Sequence, residues 1–125
     1  MMIDPNTSQK EISDDDLIAE FKNPKKYRKA LLYSLMAMRA NKNNEIKILL
    51  FDFITDEKNR NEYFLGTLIH AWLPVLHILD HGTPLLKSEL KEVLKKWPLD
   101  ERESFLNYVY KEESYRKFLE DIINT

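Results

Sequence analysis

Two glycines, Gly66 and Gly82, serve the whole chain of 125 residues, and that scarcity limits what it can fold into. Glycine supplies left-handed backbone at no steric cost, and sheet-rich folds need it in their tight turns. No stretch sustains the apolar–polar alternation of a half-buried strand. With so few glycines, neither a phosphate-cradling loop nor a dinucleotide fingerprint can be built. What remains is an all-α chain.

Its helix boundaries are marked by side chains suited to the unsatisfied amides of a first turn. Ser13 followed by Asp16 reads as a capping box opening a short helix through Phe21. Asn23–Pro24 and Thr83–Pro84 each place a cap before a proline at the first helical position. The helix after Pro24 carries Tyr27, Leu31, Leu35 and Met38 and ends near Asn41. The one after Pro84 carries the stripe Leu86, Leu90, Val93, Leu94 and Trp97 and ends at Pro98. Asn43 or Asn44 caps a third helix, EIKILLFDFITD, which is apolar nearly all round. EKNRN then reads as a polar break before a long central helix that runs to His81, with Gly82 as its left-handed C-terminal residue.

Asp100 with Glu103 caps a further helix bearing Phe105, Leu106 and Val109. Tyr108, Tyr115, Leu119 and Ile122 share a face if that helix is continuous, whereas Ser114 caps a second one if it is not, so residues 101–123 form one helix or two. The expectation is a compact bundle of six or seven short antiparallel helices, αα-hairpins around one long apolar central helix. Residues 1–12 are expected to be a flexible polar N-terminal segment and residues 13–125 a single all-helical domain, long enough to bury one core.

Charge and composition narrow the function classes. The net charge is −2, whereas a dedicated nucleic-acid binder calls for a basic excess, so nucleic acid is not the expected partner. Cysteine does not occur, which removes disulfides, thiolate nucleophiles and cysteine-based zinc sites. The start of the chain is polar and acidic, the reverse of a secretory signal. The uncharged run from Tyr63 to Leu79 spans as a helix only about 25 Å against a hydrocarbon core of about 30 Å. A cytoplasmic protein with no membrane partner is expected.

All three histidines lie in HAWLPVLHILDHG, residues 70–82. On one continuous helix, His70, His77 and His81 fall within about 40° of one another. Asn59, Tyr63, Gly66, Thr67 and Pro74 lie along or beside that stripe, and Leu65, Leu68, Trp72, Leu76 and Leu79 lie opposite. The seam is where polarity can sit on an otherwise apolar helix. His77 and His81 have the i, i+4 spacing of two metal ligands, with Asp80 near, but no HExxH motif accompanies them and no third ligand is evident. A hydrogen bond between Glu45 and His70 is the simpler expectation, and His81 suits the negative end of the helix dipole.

Two further features break local rules. Asp52 stands among apolar neighbours that suggest burial, which would raise its pKa unless it is paired. Lys22, Lys25, Lys26, Arg28 and Lys29 crowd the start of a helix, the positive end of its dipole, with Asp14, Asp15 and Asp16 upstream as compensation. Lys87, Lys91 and Lys95 form a second basic row, with Glu92 paired to Lys96.

No catalytic constellation and no cofactor motif occur, so no catalytic residue, cofactor or bound metal is assigned. The expected function is a small soluble helical protein-binding module, an adaptor, regulator or inhibitor of immunity type, whose contact residues are His70, His77, His81, Tyr63, Lys25, Lys26, Arg28 and Lys29. Its partner is another protein or a second copy of itself. The alternatives are a metal-binding bundle protein or metalloenzyme using the His70/His77/His81 stripe and, more weakly, nucleic-acid or anion binding through Lys22–Lys29.

Overall fold

A computed structural model of the protein describes residues 12–24 and 28–123, and the first eleven residues, Lys25, Lys26, Tyr27, Asn124 and Thr125 lie outside that description. Most described residues are helical. In chain order the elements are α1 (Asp14–Lys22), α2 (Lys29–Arg39), α3 (Asn44–Thr55), α4 (Glu57–Asn61), β1 (Tyr63–Leu65), β2 (Leu68–Ile69), α5 (Trp72–His81), α6 (Pro84–Leu94), α7 (Leu99–Val109) and α8 (Glu113–Ile123). None of these helices is long and apolar enough to cross a membrane.

Three of the caps form as the sequence implies. The side chains of Ser13, Asn43 and Thr83 accept from the amides of Asp16, Ile46 and Leu86. α1 is held to the end of α2 by Asp14, whose carboxylate accepts from Arg39 at 3.0 Å and from Asn43 at 2.9 Å. α2 begins later than expected, at Lys29 after an Arg28 cap that makes no side-chain bond. Its buried face is Leu32, Tyr33, Leu35, Met36 and Ala37, which leaves Leu31 and Met38 exposed. The helix is apolar at so many positions that two stripes compete, and only docking against α5, its main partner, decides between them.

The long central helix divides. EKNRN is not a break but the short helix α4, capped by Asp56. After it the chain forms an antiparallel hairpin with Tyr63 opposite Ile69 and Leu65 opposite Leu68, bulged between residues 63 and 65. Gly66 turns it at φ +54°, a left-handed position that favours glycine. His70 N donates to Glu62 O at 2.7 Å and Ala71 N to Asn59 O at 2.9 Å, closing the hairpin onto α4. Only from Trp72 does α5 begin, so Pro74 sits in a first turn, where its missing N–H costs nothing and no kink results. Gly82 is extended (φ −75°) and not left-handed. Glycine stands there because a Cβ would lie 2.6 Å from the Ile78 carbonyl oxygen, which accepts the Gly82 amide.

α7 starts two residues earlier than an Asp100 cap implies. The Pro98 carbonyl accepts from Glu101 and Arg102, so Pro98 caps the helix and Asp100 lies within its first turn. Residues 101–123 form two helices. Phe105 and Val109 of α7 and Leu119 and Ile122 of α8 are all buried in one core, and α7 and α8 pack closely on each other. A single rod of that length, about 35 Å, could not fold back on itself in this way. Arg102 fastens the return by donating to Ile122 O at 3.0 Å. With α4 and the separate α8, the described residues hold eight helices rather than six or seven.

Candidate functional site

The hairpin sends its neighbouring side chains to opposite sides, as a pleated strand must. Phe64 turns inward to an aromatic cage and Tyr63 turns outward to solvent. In the cage the His70 ring lies 5.2 Å from Phe64, 5.4 Å from Phe53 and 5.6 Å from Tyr33. His70 Nε2 and the Tyr33 hydroxyl share a buried hydrogen bond of 2.7 Å, while His70 Nδ1 is buried without a partner. Burial, with Lys29 and Lys58 adding to it against Glu62, holds the ring's pKa below its ordinary value. Burial also pushes the Tyr33 phenol up, with help from Glu62.

His70 is therefore a core residue and offers a partner no surface. Its expected bond to Glu45 does not form, because Glu45 is exposed and His70 is not on the helix that carries the other histidines. The structure does bring His77 and His81 together, with rings nearly parallel and centroids 6.3 Å apart. His77 is half-buried, its Nε2 has no partner, and burial followed by the His81 charge holds its pKa down against the pull of Asp80. Asp80 accepts a hydrogen bond from the Tyr115 hydroxyl at 2.5 Å. Among the described residues no three histidine, aspartate or glutamate side chains gather to hold an ion.

The basic cluster is largely outside the described residues, since Lys25 and Lys26 lie there. Arg28 pairs with Glu20 at 3.4 Å, and Lys29 is half-buried at the start of α2. The second row is answered by acids: Lys91 reaches Asp121 at 3.5 Å and lies over the Phe118 ring, and Glu92 takes Lys95 rather than Lys96. Asp52 is exposed, so the burial suggested by its neighbours is not found.

Among the described contact residues, Tyr63 borders a cavity of useful size. It is 66% exposed and stands at the mouth of an open pocket of about 280 Å³. Trp72 forms the floor, stacked on Phe105 at 4.9 Å and tilted against Tyr108 at 5.0 Å. Ile69 and Thr67 of the hairpin line one side, and Arg60 and Asn61 of α4 another. The third side is α7, where Glu101, Ser104 and Tyr108 share a face at intervals of three and four. Tyr108 extends the aromatic surface and is half-exposed.

One ion pair braces this pocket. Arg60 meets Glu101 at 2.8 Å with both side chains mostly buried, and its Nε donates to Thr55 O at 3.1 Å. Burial pushes the Glu101 carboxyl up, the Arg60 charge opposes that, and Asp100 and Glu57 add to it. Sequence reading missed Arg60, Trp72, Glu101 and Ser104 as site residues, since EKNRN looked like a break and Asp100 like a cap. The only local signal was a run of strand-forming Tyr63 and Phe64 before Gly66 and Thr67. Compared with known proteins, the chain matches no family model, no curated protein and no solved structure.

Proposed function

We propose that the protein is a small soluble helical binding module, acting in the cytoplasm as an adaptor, regulator or inhibitor, that docks another protein through the pocket between Tyr63 and Trp72. Antiparallel helical hairpins would serve as its rigid scaffold, and no chemistry of its own is required. The observation that carries this reading is the open pocket of about 280 Å³ with a tryptophan floor and a two-thirds exposed tyrosine at its mouth. Tyrosine, tryptophan and arginine are the residue types enriched at protein interfaces and among their energetic centres. Here Trp72 is held by Phe105 and Arg60 by Glu101, so both are ordered before a partner arrives.

The test is photo-crosslinking in the source cells, with a photoreactive phenylalanine analogue in place of Tyr63. A single protein adduct that disappears when Ser104→Arg fills the pocket is the expected result. An adduct of equal yield in the Ser104→Arg protein, or no protein adduct at all, refutes the docking site.

A further inference from the structure

We propose that the pocket beside Trp72 receives one arginine side chain of the docking protein, an inference that rests on the docking reading above. Size comes first. About 280 Å³ lies just under the roughly 300–1,000 Å³ of sites for whole small molecules, so a single side chain is the matching occupant.

Charge decides which side chain. The pocket is lined by the carboxylates of Asp100 and Glu101 against the one guanidinium of Arg60, and Glu57 is close enough to act on Glu101. Arg60 is already committed to Glu101 and to the Thr55 carbonyl. Asp100 is exposed in the first turn of α7 and forms no ion pair among the described residues. An incoming anion meets excess negative charge there, and an incoming cation is drawn in by it.

The aromatic lining points the same way, because a cation gains energy against a ring face and Tyr63 offers one in the open. Between the two cationic side chains, the planar guanidinium can lie against a ring while directing paired N–H groups at a carboxylate. An ammonium cannot do both. Thr67 and Ser104 supply hydroxyl acceptors for the remaining donors.

The probe is Nα-acetyl-arginine amide, titrated into the full chain and followed by NMR at the Trp72 indole N–H and the Ser104 amide. The matching citrulline, lysine and glutamate amides serve as comparisons. The expected result is a saturable shift at both reporters with arginine and binding roughly five- to tenfold weaker with citrulline, which has the shape without the charge. Asp100→Asn, at an exposed position, should weaken the arginine probe about threefold. Citrulline binding as tightly as arginine overturns the inference, as does tighter binding of lysine or glutamate. Wild-type arginine affinity in both Asp100→Asn and Tyr63→Ala overturns it as well. If the crosslinked adduct is lost in Ser104→Arg and yet arginine binds no better than citrulline, the arginine inference falls and the docking site stands.

Discussion

Removing the Tyr33 hydroxyl tests the aromatic cage in a way no single contact distance can. Tyr33 is 1% exposed and His70 is 6% exposed, so neither group can turn to water for a replacement partner. In Tyr33→Phe one hydrogen bond is lost, and His70, whose Nδ1 is already unpartnered, is left with no bonded ring nitrogen. The net loss of a buried hydrogen bond is about 1 kcal/mol, and stranding its partner adds about 1 kcal/mol more, for a total of about 2 kcal/mol. For a chain of this size that corresponds to a fall in Tm of about 8 °C. His70→Phe should cost less, about 1 kcal/mol, because it strands the tyrosine hydroxyl but also deletes the orphaned nitrogen. Replacing both leaves a fully apolar cage with no stranded group, so the double variant should lie within about 0.5 kcal/mol of the wild type. Urea unfolding of all four proteins gives the coupling energy directly, expected near 2.5 kcal/mol in favour of the pair. An additive double variant, about 3 kcal/mol less stable than wild type, would refute the hydrogen bond as the source of either loss.

The same burial makes stability depend on pH. His70 and His77 have folded pKa values below the ordinary 6.5, so above that value both rings are neutral in both states. As pH falls below it, the unfolded chain takes up protons first. Stability then declines by up to about 1.4 kcal/mol per pH unit for each ring and levels off below the folded values. Urea midpoints from about pH 8 to about pH 5 should show this slope, and His70→Phe should remove part of it. Arg60→Met strands Glu101, mostly buried, and should cost about 2 kcal/mol, most of which Glu101→Gln restores in the same chain. Equal losses in the single and double variants would count against that pair. Gly82→Ala sets a Cβ against the Ile78 carbonyl and should cost roughly 1–3 kcal/mol by thermal unfolding, whereas a neutral result would mean the end of α5 adjusts freely.

What was legible in the sequence depended on range. A cap is decided by one side chain and an amide three residues on, so Ser13, Asn43 and Thr83 could be placed from sequence alone. The stripe Leu86–Leu90–Leu94, with Trp97 just past the helix end, is regular in spacing and is buried as that spacing implies. From Trp72 to His81 the expected helix is found, but the stretch 62–71 failed for the opposite reason. It is so apolar that a helical stripe can be drawn through it by choosing which residues to count, and strands of two or three residues are too short to display a period of two. The warning was Gly66, which would cost about 1 kcal/mol inside a helix and here supplies the one left-handed residue of the turn. His70 was conspicuous as a polar group among apolar ones, but its partner Tyr33 is 37 positions away, and no local pattern reaches that far. The pocket is less legible still, because α4, the hairpin, α5 and α7 each supply part of it and none carries a motif.

Exchanging a helix for a hairpin changes what the neighbouring residues do. On a helix Tyr63 and His70 would share one face and one fate. On the hairpin, Phe64 packs against His70 while Tyr63 stands at the pocket mouth, one residue away and facing the other side. Core packing and the pocket mouth thus fall on adjacent positions of one strand, held in place by the His70 amide on Glu62 O and the Ala71 amide on Asn59 O. The two roles should then separate under substitution. Phe64→Ala removes a ring from the cage and should lower Tm by about 8 °C or more, at a cost of about 2–3 kcal/mol for a half-buried aromatic. Tyr63→Ala should leave Tm within about 2 °C, since an exposed ring contributes little to folding, and should show its effect in probe and partner binding. Equal losses of Tm at both positions would mean that the strand does not sort its side chains as the fold requires.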